Sequence, residues 1–383
     1  MIFDDPAGTR GPSETATALV SSAVPLPIAL GSLQERPLVS VLIANKDYGR
    51  FLPDALNGLL AQTYPRWEAI VCDDASTDDS RSVARAYSKR DARISLVEHA
   101  VNRGQGAAFN TAFAACRGEV ICFLDADDAF RPRKLQMVID VLRRSSAGMI
   151  LHPLVMIDRA GRQIQRIPGF TRFERGWIGE RVARRGGRWR WVPTSGVTVR
   201  RDVAELIFPM PEQGYAGSAD TFFLMLTPLL TRIAVVDDPL AFYRRHGSNH
   251  FARTRFDVGR IPSTRQNLAL SVENVNERLD GLGRPGPRLR IQDNLQFLEL
   301  GFQHALFNEA VSRRQLLARY SALADGLARD DLYGGLQRGW GRCMYFVAIL
   351  LPARARARWL GMNLSASRPK ELLRRTWRLV QGR

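Results

Sequence analysis

The residues best suited to chemistry stand at the end of an apolar strand. Residues 120–124 are apolar, and Asp125, Asp127 and Asp128 follow directly. Because bare carboxylates are too costly to bury inside a strand, they must lie where the strand ends, at an exposed edge. Their mutual repulsion is relieved by a hard divalent cation, which takes oxygen ligands and often holds substrate phosphates as well. The pattern predicts a Mg2+ or Mn2+ site for a phosphorylated donor, with a solvated acidic turn as the alternative.

Two more strands end in polar residues in the same way. One covers residues 38–45 and the other runs from residue 67 to the acidic pair at 73 and 74, with helical apolar spacing between them. Repeated strand–helix alternation predicts an α/β fold with a parallel sheet and helices on both faces. Ligands bind such sheets at the carboxyl ends of the strands. The residues at these ends are Asn45, Asp73, Asp74, Asp125 and Asp127.

Five segments resemble those of the family 2 inverting glycosyltransferases, in the family's order and spacing, over about residues 38–250. They are residues 39–52, 62–68, 73–80, 102–110 and 124–128. The resemblance implies the GT-A fold, a doubly wound α/β sheet that binds nucleotide sugars. Helical spacing of apolar residues over 263–330, for example at 295, 298, 302, 305 and 306, predicts a helical C-terminal region. Four positions depart from the family pattern: Ala44-Asn45 replaces Pro-Thr, Ala75 replaces Gly, and Phe109 replaces Arg.

The resemblance also implies donor-side roles. Asp74 matches the residue that accepts a hydrogen bond from the imide nitrogen of uracil or thymine, and an ionised carboxylate suits that N–H because it only accepts. Asp125 and Asp127 match the metal-binding pair, whose cation stabilises the diphosphate leaving group. Asp73 is expected to cap its strand end, and Asp128 to be an acid at a helix start. The remaining donor-binding candidates are Ala44, Asn45, Asn102 and Gly104.

Two later segments supply the rest of the chemistry. Asp220 resembles the acid that opens a helix and serves as general base for the acceptor hydroxyl; an ordinary helix N-cap is the alternative. Arg244 and Arg245 resemble the diphosphate-gripping arginines of the family. His246 is a candidate third metal ligand, with a hydrogen-bonded turn residue as the alternative. Residues 194–201 are expected to form a small-residue loop and a strand near the acceptor.

The chain is strongly basic, with 55 Lys and Arg against 38 Asp and Glu. Arginines cluster at 184–191 and again from 354 to 378. They raise a rival hypothesis, a non-catalytic Arg-rich protein that binds nucleic acid or a membrane surface. No nucleic-acid motif supports it, and it leaves the strand-end acids unexplained. The apolar run at 340–351 is too short to span a bilayer; it predicts either an interfacial element on anionic lipid or a helix packed on the enzyme.

We therefore predict a flexible tail at 1–36, a GT-A domain at 37–255 and a helical, Arg-rich region at 256–383. The run at 23–30 is broken by Pro25 and Pro27 and lacks a basic flank, so it does not resemble a signal peptide. The expected location is cytoplasmic, peripheral on the inner membrane face. The expected partners are a nucleotide-sugar donor, UDP-type, and a glycan or lipid-linked hydroxyl acceptor, without nucleic acid. The cysteines lack metal-ligand spacing and are expected to be reduced core residues: Cys72, Cys116, Cys122 and Cys343.

Overall fold

Strands and helices alternate up to residue 245, and only helices follow among the described residues. The computed structural model of the protein describes residues 27–166, 173–212, 219–246, 258–283, 286–308, 311–352, 355–356 and 359–360. Its strands are β1 (Val39–Asn45), β2 (Trp67–Asp73), β3 (Ile94–Glu98), β4 (Val120–Asp125), β5 (Ala129–Phe130), β6 (Met149–Leu151), β7 (Leu154–Asp158), β8 (Gln163–Arg166), β9 (Val197–Arg200), β10 (Ile233–Val235) and β11 (Ala241–Arg245). Its α-helices are α1 (Leu52–Leu60), α2 (Ser80–Arg90), α3 (Gln105–Ala115), α4 (Lys134–Arg143), α5 (Gly179–Arg184), α6 (Arg201–Ile207), α7 (Asp220–Leu230), α8 (Ile261–Gly281), α9 (Leu295–Phe307), α10 (Arg313–Arg329) and α11 (Gly335–Leu350).

The main sheet has seven strands in the order β10-β6-β9-β4-β1-β2-β3. β1 pairs in parallel with both β2 and β4, and β2 pairs in parallel with β3. β9 runs antiparallel to its neighbours β4 and β6. The chain starts at β1, moves outward to β3, and returns to place β4 on the other side of β1. Such a switch in strand order opens a crevice at the carboxyl ends of the strands, where ligands bind sheets of this type.

The central strands form because their sequences suit burial on both faces. Every residue of β2 is buried, as are five of the six residues of β4, which is the pattern of a parallel strand covered by helices on both sides. Helix α1 is one of the helices that cover the sheet, and its buried residues are Leu52, Ala55, Leu56 and Leu59. The predicted strands at 38–45 and from 67 to the acidic pair at 73 and 74, and the one that ends at Asp125, are confirmed to within one residue at each end.

A second sheet of four strands, in the order β5-β11-β7-β8, lies beyond the acidic end of β4. Its first strand, β5, has only two residues and pairs antiparallel with β11. Because β5 begins directly after Asp128, this pairing brings the end of β11 to the acidic cluster. A two-residue strand leaves no periodic signal in the sequence, so this sheet was not predicted.

The C-terminal region is helical wherever the structure describes it, as predicted. α8 packs on the main hydrophobic core through Leu268, Val272, Val275 and Leu279. Helices α9, α10 and α11 instead share a second core, which includes Phe302, Leu323 and Tyr345. The predicted domain boundary at 255/256 lies outside the described residues, so the division into domains stays a proposal.

Two expectations need correction. Residues 27–36 are not a free tail: the Ile28 amide donates to the Leu230 carbonyl oxygen at 2.8 Å, and the Ile28 side chain belongs to the main core. Residues 1–26 lie outside the described part of the chain. Cys72, Cys116 and Cys122 are buried free thiols, but Cys343 is exposed on α11. It was expected in a core because the run around it is apolar, whereas one apolar face of this helix remains uncovered.

Candidate active site

Parallel pairing brings the polar strand ends to one edge of the main sheet. Ala44 at the end of β1 is in register with Cys72 of β2 and with Asp125 of β4, and Asn45 is in register with Asp73. These positions follow from sheet pairing alone, as the sequence led us to expect. Ala44 is partly exposed while Asn45 is buried. Their predicted contact with the donor stays a prediction.

Asp73 holds the turn that follows β2. Its Oδ1 accepts hydrogen bonds from the Ser76 amide at 2.9 Å and Arg81 Nε at 3.0 Å, and its Oδ2 accepts one from Asn45 Nδ2 at 2.8 Å. Burial alone would raise the pKa of Asp73, but these hydrogen bonds outweigh it and lower the pKa below its usual value. Asp73 is therefore an ionised cap of the strand end, as its position suggested.

Asp74 is buried and fixed by the loop that leads into α3. Its Oδ1 accepts from the Arg103 amide at 2.8 Å, and its Oδ2 accepts from the Gly104 amide at 2.7 Å. Gly104 has a φ of +88°, which glycine adopts without steric cost, and its amide also donates to Asn102 Oδ1 at 3.0 Å. The loop thus presents Asp74 as a rigid acceptor whose orientation is set by backbone donors.

His99 is a member of this cluster that the sequence analysis missed. Its Nδ1 lies 2.7 Å from Asp74 Oδ1, and its Nε2 lies 2.9 Å from Thr111 Oγ1 of α3. The signal was present, because His99 directly follows β3 and so falls at the same sheet edge as the acids. The contact with a residue 25 positions away depends on β2–β3 pairing, which spacing alone does not reveal.

The acids after β4 are crowded. Burial raises the pKa of Asp125 well above its usual range, and the charges of Asp127 and Asp220 raise it further. Asp128 is fully buried: its Oδ2 accepts from Ser195 Oγ at 2.7 Å and its Oδ1 from the Arg244 amide at 2.9 Å. Asp128 is therefore not a helix-start acid as predicted. α4 begins six residues later, and Asp128 instead ties β4 to β11 and to the loop before β9.

His246 meets Asp127 at the end of β11. Its Nε2 lies 2.8 Å from Asp127 Oδ2, and its ring stacks on Phe51 with centroids 4.9 Å apart. The pairing of β5 with β11 is what delivers this histidine to the acids. A carboxylate oxygen and an imidazole nitrogen therefore converge on one point, next to a further carboxylate, Asp125.

These residues fit a divalent cation held partly by its substrate. Among the described residues, no group of three or more His, Cys, Asp or Glu side chains is arranged to hold a metal by itself. Mg2+ commonly takes only one or two carboxylates from the protein and completes its shell with water and substrate phosphates. Asp127 could supply one carboxylate ligand and His246 an imidazole nitrogen. Burial and repulsion from the neighbouring carboxylates raise the pKa values of Asp125 and Asp128, and a bound cation would relieve that repulsion.

The two arginines before His246 differ in their surroundings. Arg244 is buried, and its guanidinium donates to Asp54 Oδ2 at 2.6 Å and to the Asp127 carbonyl oxygen at 2.8 Å. The guanidinium of Arg245, on the opposite side of β11, has no hydrogen bond or ion pair with any other described residue. The donor-binding role predicted for both stays a prediction, and the structure leaves Arg245 the freer cation.

Asp220 is the first residue of α7, the helix-opening position that the sequence predicted. Its Oδ2 accepts a hydrogen bond from Thr194 Oγ1 at 3.3 Å, while its Oδ1 is buried and has no partner among the described residues. Burial raises the pKa of Asp220 to about 6. A carboxylate beside Asp125 with one unpartnered oxygen and a raised pKa is well suited to proton transfer. The preceding Ser218 lies outside the described residues.

The expected loop at 194–201 is a short 3-10 helix, Thr194–Gly196, followed by β9. The Ser195 hydroxyl lies between two site residues, because it donates to Asp128 and accepts from the Asp125 amide at 3.1 Å. Below it, the fully buried Lys134 donates to the Ser195 carbonyl oxygen at 3.0 Å, and burial lowers the pKa of Lys134 to about 8. The sequence analysis missed Lys134, whose ammonium group lies close to the acidic residues at this edge of the sheet.

Comparison with known proteins identifies the family. The sequence model described as Glycosyl transferase family 2 matches residues 40–208. An uncharacterised glycosyltransferase, alr2836, from Nostoc sp. is 33% identical over 261 residues, which is 68% of this chain and 80% of that protein. The chain belongs to glycosyltransferase family 2. Its enzyme class is therefore glycosyltransferase, as the five sequence segments had indicated.

Other relatives match a shorter region. The putative teichuronic acid biosynthesis glycosyltransferase TuaG of Bacillus subtilis and the UDP-Glc:alpha-D-GlcNAc-diphosphoundecaprenol beta-1,3-glucosyltransferase WfgD of Escherichia coli are each 34% identical over 113 residues. That match covers 30% of this chain and 45% of TuaG or 44% of WfgD. The crystal structure of S. aureus TarS 1-349 in complex with UDP-GlcNAc has a TM-score of 0.50 at 17% identity, covering 76% of this chain and 89% of that one. This likeness confirms the GT-A fold.

Proposed function

We propose that this glycosyltransferase moves a sugar from a nucleoside-diphosphate donor, most simply a UDP-sugar, to a hydroxyl acceptor with inversion at the anomeric carbon. The observation that carries the proposal is the convergence of three kinds of group on one sheet edge. They are a fixed acceptor for a base (Asp74), a candidate cation site (Asp127 with His246) and a carboxylate with one unpartnered oxygen (Asp220). Donor recognition, leaving-group stabilisation and proton removal each need one of these groups.

Donor selection would rest on Asp74. The carboxylate is held by His99 and by two backbone amides, so it cannot turn away from a ligand without losing hydrogen bonds. An ionised carboxylate accepts and cannot donate, which matches the imide N–H of uracil or thymine. Ala44, Asn45 and Asn102 at the same edge would line the nucleotide.

Leaving-group departure would rest on a divalent cation, Mn2+ or Mg2+, held by Asp127 and His246 with Asp125 adjacent. When bound, the cation acts as a Lewis acid that stabilises the departing diphosphate. Arg245 is available to pair with a phosphate oxygen, since the described residues offer its guanidinium no ion pair. Arg244 would not contact the donor itself. Its guanidinium would hold the Asp127 backbone and Asp54, near the start of α1, in place.

Acceptor activation would rest on Asp220. Its Oδ1 is free to accept the proton of a hydroxyl, and the alternative role as a helix cap is weakened because no side-chain cap bond is made at the start of α7. A single displacement on the face opposite the leaving group inverts the anomeric configuration. An alpha-linked donor would therefore give a beta-linked product.

The pathway we propose is the synthesis of a surface polysaccharide or of a glycan carried on a lipid. TuaG is named for teichuronic acid biosynthesis and WfgD for a diphosphoundecaprenol-linked acceptor, so relatives of this chain act in such pathways. The proposed location is cytoplasmic, peripheral on the inner face of the membrane. The buried free thiols Cys72, Cys116 and Cys122 are typical of a reducing compartment.

The test is a panel of nucleotide sugars with Mn2+ or with EDTA, scored for transfer or hydrolysis, with NMR of the product linkage. We expect turnover of a uridine or thymidine donor only with the cation, and an inverted product. Asp127→Asn should lower turnover by about 100-fold or more and weaken UDP binding in Mn2+ but not in EDTA. Asp74→Ala should weaken UDP binding by about 1–3 kcal/mol.

Two results would overturn the proposal. A product with retained configuration would exclude the single displacement, and equal UDP affinity of Asp127→Asn and wild type in Mn2+ would exclude Asp127 as a metal ligand. A folded protein that binds UDP but turns over no donor would instead favour the non-catalytic alternative.

A further inference from the structure

The C-terminal helices carry most of the exposed apolar surface of the described chain. Eight large apolar side chains are exposed, and two of them, Val101 and Ile164, stand alone on loops or edges. A single exposed apolar residue needs no explanation, but a concentration of them does. The other six all lie within 34 consecutive positions: Leu317, Tyr333, Leu336, Trp340, Phe346 and Leu350.

Helix α11 has two apolar faces, and only one is covered. Met344, Tyr345, Ala348 and Ile349 are buried in the second core, against α9 and α10. At about 100° per residue, Leu336, Trp340, Cys343 and Leu350 fall on the opposite side of the helix, with Phe346 beside them. The sequence left open whether this run packs on the protein or meets lipid. The structure shows that one face packs, while the other remains exposed.

The helix cannot cross a bilayer. It has 16 residues, and no helix in the described part of the chain is both long and apolar enough to form a membrane span. A short helix with an exposed apolar face and basic surroundings instead lies in the plane of the interface. Tryptophan is enriched at that depth because its ring is apolar and its N–H is polar.

The charge of the sequence that forms and follows this helix indicates what the exposed face would contact. From residue 335 to the end, the sequence contains 11 Lys or Arg residues and one acid, Glu371. Such clusters next to an amphipathic helix are attracted to anionic lipid headgroups. The same charge disfavours a second copy of the chain as the occupant, because two equally basic faces would be brought together.

We propose that the outward face of α11 docks on an anionic lipid bilayer, with Trp340 and Phe346 inserted at the interface and the arginines against the headgroups. The docking does not depend on the donor chemistry proposed above. It would hold the enzyme at the surface where a lipid-linked acceptor resides. Failure of catalysis and failure of docking are therefore separate outcomes.

The test is co-sedimentation of the full chain with vesicles of phosphatidylcholine alone or mixed with phosphatidylglycerol. We expect binding only to the anionic vesicles, weakened by salt, together with a blue shift of tryptophan fluorescence. The double variant Trp340→Gln/Phe346→Gln should bind the anionic vesicles at least about tenfold more weakly. The matched control Val101→Gln, which removes an exposed apolar side chain elsewhere, should bind like the wild type.

Circular dichroism and UDP binding verify that each variant is folded. Equal binding of both variants to anionic vesicles would overturn the proposal, as would equal binding of the wild type to neutral and anionic vesicles. Sedimentation velocity tests whether a second copy of the chain, and not a bilayer, occupies this face. A wild-type dimer that the double variant converts to a monomer, with vesicle binding unchanged, would show that the face joins two copies of the chain.

Discussion

Asp220 differs from Asp73, Asp74 and Asp128 because one of its oxygens lacks a partner among the described residues. Asp73, Asp74 and Asp128 each have both oxygens engaged by protein donors, so a proton transferred to any of them would compete with an existing hydrogen bond. The Oδ1 atom of Asp220 is buried and unpartnered among the described residues. Of these four acids, Asp220 is the one available to take a proton.

This availability predicts a specific pH dependence. Burial raises the pKa of Asp220 to about 6, and a general base acts only when ionised. The value of kcat/KM should therefore fall about tenfold for each pH unit below about 6 and level off above it. Asp220→Asn should lose about 100- to 10,000-fold in rate and should no longer show this titration, while UDP binding stays near that of the wild type.

The matched control is Glu180→Gln, which changes an exposed acid in the first turn of another helix, α5, and should leave the rate unchanged. Full turnover by Asp220→Asn would exclude its role as base. The same pH profile in wild type and variant would mean that another group titrates.

At the scale of elements, the turn between β2 and α2 explains one departure from the family pattern. Ala75 occupies the position where the family has Gly, and its φ is +58°, in the left-handed region. That conformation costs an alanine about 1–2 kcal/mol. The turn tolerates the cost because its neighbours fix it: Lys46 Nζ donates to the Ala75 carbonyl oxygen at 2.6 Å, and Asp73 holds the Ser76 amide.

Ala75→Gly should therefore stabilise the protein. Relief of the left-handed strain exceeds the added entropy of the unfolded glycine, for a net gain of about 0.5–1 kcal/mol. Thermal unfolding should show a midpoint higher by about 2 °C. Ala92→Gly, in a loop where φ is not positive, is the control and should lower the midpoint. A loss of stability in Ala75→Gly would show that the alanine methyl group contributes packing that outweighs the strain.

The elements also show how far the sequence could predict the site. β1, β2 and β4 were predictable because buried parallel strands are continuous apolar runs, and their polar ends then meet by topology. The β5–β11 pairing was not predictable, so the contact between Asp127 and His246 was reached only through family resemblance. The roles of His99 and Lys134 depend on side-chain contacts between distant segments, which no local spacing encodes.

At the scale of the molecule, the arginine cluster at 184–191 joins the two hydrophobic cores. Arg188 pairs with Asp330, Arg185 pairs with Glu174 and Asp331, and Arg190 donates to the Leu332 carbonyl oxygen. These arginines precede β9 of the main sheet, and their partners at 330–332 connect α10 to α11. The cluster that raised nucleic-acid binding from the sequence is therefore largely engaged within the chain.

The Arg188–Asp330 pair should be the most sensitive point of this junction. Both side chains are mostly buried, with 14% and 3% exposed, and the nearby Glu299 already has its pKa raised to about 7 by burial. Arg188→Ala leaves Asp330 buried without its cation, which typically costs about 3–5 kcal/mol. We expect earlier thermal unfolding and faster proteolysis within 311–352, with UDP binding retained. Arg162→Ala, which breaks an exposed pair with Asp158, should cost less than about 1 kcal/mol. Equal effects of the two variants would mean that helices α10 and α11 are held to the main-sheet part of the chain by apolar contacts and not by this ion pair.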